Sequence, residues 1–495
     1  MTTISPTQGT ISSAGIGSGL DVNSIISSLM AVESLPLTAL RSKATNLQTD
    51  LSAFGQVQSL VSSLQDAAKP LFDPSTFKLT NTSSTDPSSV SAGTTAGAVP
   101  GIYSVSVSAL SAGQSIVSPT GQYTDVNSVV GTGSLTIRLG TWDSSHTTFT
   151  PGTGSSDVTV PIGASADTLA GIRDTINAAN AGISATIVTD ASGARLALQS
   201  SSPGAANGFR ISVADGDGNN TDAAGLSRLA YDPSAGPTQM ALAQSAANTQ
   251  ATINGIAVTS SSNTLSGVID GITFNLSKTT TQPVTINVTQ NTDSIKSDVT
   301  ALVSAYNALN SFLATETHYD PTTKVAAPLQ GDSTATSIQN QMHSLISQTS
   351  GASSIFSSLS SIGVQLQTDG SLKLDDTSFA AAVANLPELT KALSNVDATT
   401  SSNNGFGKRF SDWTTGLLNT GGTLPGKTAS IQASIASNQK DQDTMNTQLA
   451  ATQARLQAQY TALDSTMSQA NALAAYVQQQ FYTKSSFGSS GSSSN

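Results

Sequence analysis

The chain has 495 residues, 37% of them hydrophobic and 5% aromatic, with 20 basic against 31 acidic side chains and a net charge of −11. That length allows several domains, but so few aromatics argue against large cores, and an acidic chain without a basic run excludes a nucleic-acid footprint. Cysteine is absent, which removes disulfide frameworks, zinc ribbons and thiol nucleophiles together.

The first feature along the chain is "SSAGIGSGLDVNSIISSLM", residues 12–30, where glycines alternate with small residues before a helix signal. A phosphate-binding loop needs a buried strand before it and a cationic side chain beside it. Upstream lies only polar, Pro-punctuated sequence, and no Lys or Arg precedes Arg41, so the glycines read as a flexible lead into the helix. Asp21 stands where an N-cap belongs, and Val22, Ile25, Ile26, Leu29 and Met30 follow at helical spacing. Pro36 interrupts this short helix. A second amphipathic run carries Leu47, Leu51, Phe54, Val57, Val61, Leu64 and Ala68 on one face and is expected to end near Lys69-Pro70. The N-terminus lacks the basic and apolar regions of a cleaved secretory signal, and no apolar run nears the ~20 residues of a membrane span, so neither a signal peptide nor membrane insertion is expected.

After residue 79 the period changes from about 3.6 to 2. "GIYSVSVSAL" alternates along residues 101–110, and "GSLTIRLGTWD", "ARLALQS", "GFRISVAD", "GITFNLS" and "PVTINVTQ" continue as strands between Gly, Asn, Asp and Ser turns. Within them only residues 166–182 read as a helix, with Leu169, Ile172 and Ile176 on one side. Residues 79–277 contain no Lys and no Glu, with twelve Asp and five Arg, a sparse acidic surface suited to a soluble β-module. The helical period returns with Ile295, Val299, Leu302, Tyr306, Leu309 and Leu313, and a β-hairpin is expected around Asp369-Gly370.

From Lys427 to Phe487 there is neither Gly nor Pro. Leu449, Leu456, Leu463, Ala470 and Val477 recur every seven residues, and a second line, Tyr460, Met467, Ala474 and Phe481, lies four residues further on. The two lines make one narrow apolar seam on a long helix, which needs external helices as partners. The fold class is therefore α+β and multidomain: terminal coiled-coil helices and a helical domain enclosing two nested, mainly-β domains. The boundaries place residues 1–42 with 426–495 in a terminal domain, 43–79 with 291–425 in the helical domain, 80–125 with 242–290 in one β domain, and 126–241 in an inner inserted β domain.

Catalytic patterns are missing. His146, His318 and His343 stand alone without metal-ligand spacing, no G-x-S-x-G elbow occurs, and Glu33, Glu316 and Glu388 are the only glutamates. "DGDGNNTDAAGL" starts like an EF-hand loop, but Asn220 replaces its turn glycine and Leu226 its bidentate Glu, leaving a polar turn with at most weak calcium binding at Asp215 and Asp217. No enzyme, cofactor or metal is expected.

Two end segments carry a resemblance. "GIGSGLDVNSIISSLMAVESLPLTAL" resembles the N-terminus, and "YTALDSTMSQANALAAYVQQQF" (460–481) the C-terminal segment, of the bacterial flagellar filament-capping family, hook-associated protein 2. "ATINGIAVTSSSNTLSGVIDGITFNL" (251–276) is similar to the N-G-I motif shared by hook-associated proteins and flagellins. The resemblance implies an extracellular cap at the flagellum tip, a homo-oligomeric ring of five or six copies that helps flagellin fold and insert. It also implies neighbouring hook–filament junction proteins, a type III export chaperone, and export without a cleaved signal peptide. The residues expected at subunit or filament contacts are Ile25, Ile26, Leu29, Met30, Leu449, Leu456, Tyr460, Leu463, Met467, Val477 and Phe481. The alternative is a flagellum-associated adhesin whose β domains bind host surface ligands.

Overall fold

The computed structural model describes residues 21–486. Its helices, in chain order, are α1 (Val22–Glu33), α2 (Leu35–Phe72), α3 (Leu169–Ala178), α4 (Thr292–Glu316), α5 (Ser333–Ser347), α6 (Asp376–Val383), α7 (Leu386–Ser394), α8 (Phe406–Leu418) and α9 (Thr423–Ser486). The α+β, multidomain class is as expected. The described chain divides into a helical unit, residues 21–73 with 296–486, and a β-rich unit, residues 74–295.

In the helical unit Asp21 caps α1 by accepting the Ser24 amide at 3.0 Å, as the sequence indicates. Pro36, lacking an N–H, sits in the first turn of α2, and α1 and α2 meet at a 44° bend. α2 runs through Pro70 to Phe72, slightly past the expected end: a proline in a final turn forfeits one hydrogen bond without breaking the packed helix. Its Phe54, Val57, Val61, Leu64, Ala68 and Leu71 are fully buried. At the far end a Cβ on Gly407 of α8 would lie 2.7 Å from the Leu71 carbonyl carbon, so glycine is what lets the two backbones touch. The expected hairpin is present as Val364–Leu366 paired with Leu372–Leu374. Asn307 of α4 grips it, accepting from the Leu372 amide at 2.7 Å and donating to its carbonyl at 2.8 Å. α9 begins four residues before Lys427 and takes Pro425 and Gly426 into its first turn, where a missing N–H costs nothing.

The β-rich unit holds two separate cores. The first lies between a five-stranded antiparallel sheet, ordered Thr80–Ser84, Val284–Gln290, Gly101–Ala109, Thr249–Ile253, Ile256–Ser260, and a three-stranded one, Thr264–Ile269, Ile272–Leu276, Val90–Thr94. Val105, Val107, Phe274 and Ile286 are among its buried residues. Its last two strands join through Asn254-Gly255, both at positive φ, the left-handed pair that a tight hairpin requires. The second core, with Leu135, Ile137, Leu196, Leu198 and Phe209, lies among two further antiparallel sheets and α3. α3 is capped by Thr168 and buries Leu169, Ile172 and Ile176, the three residues its sequence singled out.

A boundary at 126 cuts through this second core. Ile116 and Tyr123 are buried in it, and the strand Ser115–Val117 pairs with both Gly193–Ser200 and Ala241–Gln244. The chain enters and leaves beside itself: the Ala112 amide donates to Ala247 O and the Ala247 amide to Ala112 O, each at 3.0 Å. A three-residue strand is too short to display a period in sequence, so nothing there separates residues 114–125 from the outer β domain, in which the sequence reading places them.

Candidate functional site

α9 is fixed at its base. Lys427 Nζ lies 2.6 Å from Asp332 Oδ2 and 5.3 Å from the centre of the Phe54 ring, joining α9 to α5 and α2 through an ion pair and a cation–π contact. Asp332 also caps α5, accepting from Thr334 and Ala335 amides. Burial acts to raise its pKa, yet the bonds from Lys427 and these amides prevail and hold it below the ordinary range. Neighbouring Asp50 is raised, first by burial and then by the Asp332 charge, with Lys427 opposing.

Above this base one stripe of α9 is covered: Ile431, Asn438 and Gln442 are buried, and Ile435, Met445, Leu449, Thr452, Leu456 and Tyr460 are half-buried. α1 and α2 both lie on α9. On α1, Val22 and Ile26 are buried, Ile25 and Met30 half-buried, and Leu29 is 41% exposed.

The eleven residues expected at assembly contacts thus fall into two sets. Ile26 is taken up within the chain, and Ile25, Met30, Leu449, Leu456 and Tyr460 are partly so. Leu29, Leu463, Met467, Val477 and Phe481 remain exposed, Phe481 at 71%. Sequence periodicity cannot make this division, because a seam looks the same whichever chain covers it. It also missed Leu473, Tyr476 and Tyr482, exposed at 64%, 58% and 78% off the seam. The signal was available: in "ANALAAYV" (470–477) only Asn471 is polar, and a helix apolar around its circumference is one made to be enclosed. The glycine-rich lead, residues 12–20, lies outside the described residues.

His343 Nε2 is 3.1 Å from Asn310 Oδ1, and His146 stacks on Trp142 with ring centres 6.1 Å apart. Asp215, Asp217 and Asp222 bring carboxylate oxygens within 4.8 Å of one another. Each accepts a backbone amide, from Ser227, Asn219 and Ala224 respectively, which accounts for them as turn-forming residues. A groove of about 520 Å³ between α2 and α4, lined by Gln56, Leu60 and Phe312 among others, contains no ionisable side chain. No single described helix is long and apolar enough to cross a membrane.

The chain is 32% identical to flagellar hook-associated protein 2 of Escherichia coli over 96% of its own length and 99% of that protein. It belongs to the flagellar hook-associated protein 2 family. Family models described as the N- and C-terminus of that protein match residues 18–114 and 246–472. The B-type flagellar hook-associated protein 2 of Pseudomonas aeruginosa is 28% identical over 91% of this chain and 93% of that one. Among solved structures, three domains of the flagellar cap protein FliD from Escherichia coli superpose with a TM-score of 0.59 at 29% identity, covering 77% of this chain and 99% of that one. The flagellin hook IN motif matches residues 148–202, not the N-G-I hairpin at 251–276, which falls inside the C-terminal family model. Family members are structural components of the flagellum.

Proposed function

We propose that this protein caps the distal end of the bacterial flagellar filament and promotes folding and insertion of flagellin. Family membership supports the role, and the bare apolar end of α9 from Leu463 to Phe481 carries the mechanism. Apolar helix faces left in water gain free energy by association, and a closed ring of identical copies satisfies them without open-ended growth. In this reading five or six copies form the ring, with Leu29, Leu463, Met467, Val477 and Phe481 at contacts between copies or with the filament below. The chain travels by the flagellar type III route with a chaperone, and at the tip it meets flagellin and follows the junction proteins. The hook-associated and cap names of its relatives favour this role over the adhesin alternative.

A strain lacking the protein is expected to release unpolymerised flagellin and lose motility. Complementation with the full chain restores filaments, and complementation with a chain truncated after Tyr460 does not. Normal filaments in the null strain would refute the capping role, and full rescue by the truncated chain would refute the assignment of contacts to α9.

A further inference from the structure

The covered stripe of α9 changes chemistry part-way along. Ile431, Ile435, Asn438, Gln442, Met445, Leu449, Thr452 and Leu456 follow one another at steps of three and four, so Asn438 and Gln442 occupy two adjacent layers of an otherwise mostly apolar seam. Asn438 is 3% and Gln442 9% exposed. Gln442 Nε2 donates to Asn438 Oδ1 at 2.6 Å, while Asn438 Nδ2 is buried without a hydrogen-bond partner. A buried amide hydrogen left unpaired favours the open state, in which water can bond it.

The location is specific. Lys427 lies over Phe54 of α2 and α9 goes on to meet α1, so α9 runs antiparallel to α2. At 1.5 Å per residue in both helices, the amide layers face roughly residues 37–44 of α2. That is about one to three turns from the 44° bend between α1 and α2. Above the bend the seam changes step as well: Leu456 to Tyr460 adds a second interval of four after Thr452 to Leu456, a phase shift that unwinds a helical pair locally.

We propose that the Asn438–Gln442 layer is the opening point of the helical stem. When it parts, α1 and α9 beyond Gln442 move as one leg, while Lys427, Asp332 and Ile431 keep the base closed. The purpose assigned to this motion, making room for an incoming subunit, rests on the capping role; the opening itself is a property of the isolated chain.

Hydrogen exchange on the purified full-length protein tests the opening. In the natural protein, amides of 443–460 and 22–33 are expected to exchange at least about tenfold faster than those of 427–437, with the step at 438–442. The double variant Asn438→Leu, Gln442→Leu should erase the step, slowing exchange in 443–460 about tenfold at unchanged oligomeric state. Asn438→Ala alone removes the orphan amide but also the acceptor of Gln442 Nε2, so it leaves a buried amide unpaired and should keep the step. A smooth gradient along α9 in the natural protein, a step that survives the double variant, or one erased by Asn438→Ala alone overturns the proposal. In cells the double variant is expected to give shorter filaments; normal lengths from a stem shown to be locked would overturn the assigned purpose, whereas the capping role itself falls only with normal filaments in the null strain.

Discussion

Glu388 gathers more partners than any other glutamate among the described residues. Its Oε1 accepts from Lys391 Nζ at 2.7 Å, and its Oε2 from Ser353 Oγ at 2.7 Å and the Ser354 amide at 3.0 Å. Lys391 and Ser353 lead in stabilising the carboxylate, holding its pKa down at about 2. A depressed folded value means stability that is present above the usual glutamate range and is lost as pH falls toward 2. Glu388→Gln should therefore unfold at lower temperature than the natural protein at pH 6, with the gap closing as the pH is lowered through that window in a series of melts. Asp50 has the opposite sign. Its raised pKa marks a charge the fold disfavours at neutral pH, so Asp50→Asn should leave stability at pH 7 unchanged or higher, and chemical denaturation reads the direction. Gly407→Ala puts a methyl group against the Leu71 backbone and should cost about 1–3 kcal/mol by the same measurement. At this scale the sequence reveals only what is local. Asp21 is legible as a cap because its donor, the Ser24 amide, lies three residues away, whereas Ser353 is 35 positions from Glu388 and nothing in spacing connects them.

Between elements, the same residue type divides by what covers it. Ile26 is 5% exposed and Leu463 46% exposed, although both were read from one kind of periodicity. Ile26→Ala should cost about 2–4 kcal/mol in denaturant unfolding of the isolated chain. Leu463→Ala should cost less than about 0.5 kcal/mol there and reduce association instead, as sedimentation would register. Equal stability losses at the two positions would contradict this division. Helices were the most legible elements, since ten or more residues at a 3.6 period leave little ambiguity. Their ends were less so: α2 tolerates Pro70 and α9 admits Pro425 and Gly426, because a proline's cost depends on whether its carbonyl partner is already near a helix end.

For the whole chain, nesting was visible as a change of period, helix to strand and back, while the inner limit of the nest was not. The short strand Ser115–Val117 takes its meaning from Gly193–Ser200, about eighty residues later, and only tertiary pairing reveals it. The paired amides of Ala112 and Ala247 give a cleaner limit and a prediction. Replacing residues 113–246 by a two-residue Asn-Gly turn should leave the other β core folded, with Val105, Phe274 and Ile286 still buried, checked by circular dichroism and a cooperative melt. Loss of a cooperative melt would mean that the two cores stabilise each other.

Those two alanines form a doorway only one rung wide, roughly 5.5 Å between their α-carbons. Any guest sequence whose own ends lie that close could be spliced through it without altering the register of the host sheet. Natural lineages and protein engineers alike are thus offered one permissive socket in the β-rich unit for displaying foreign cargo on a bacterial appendage.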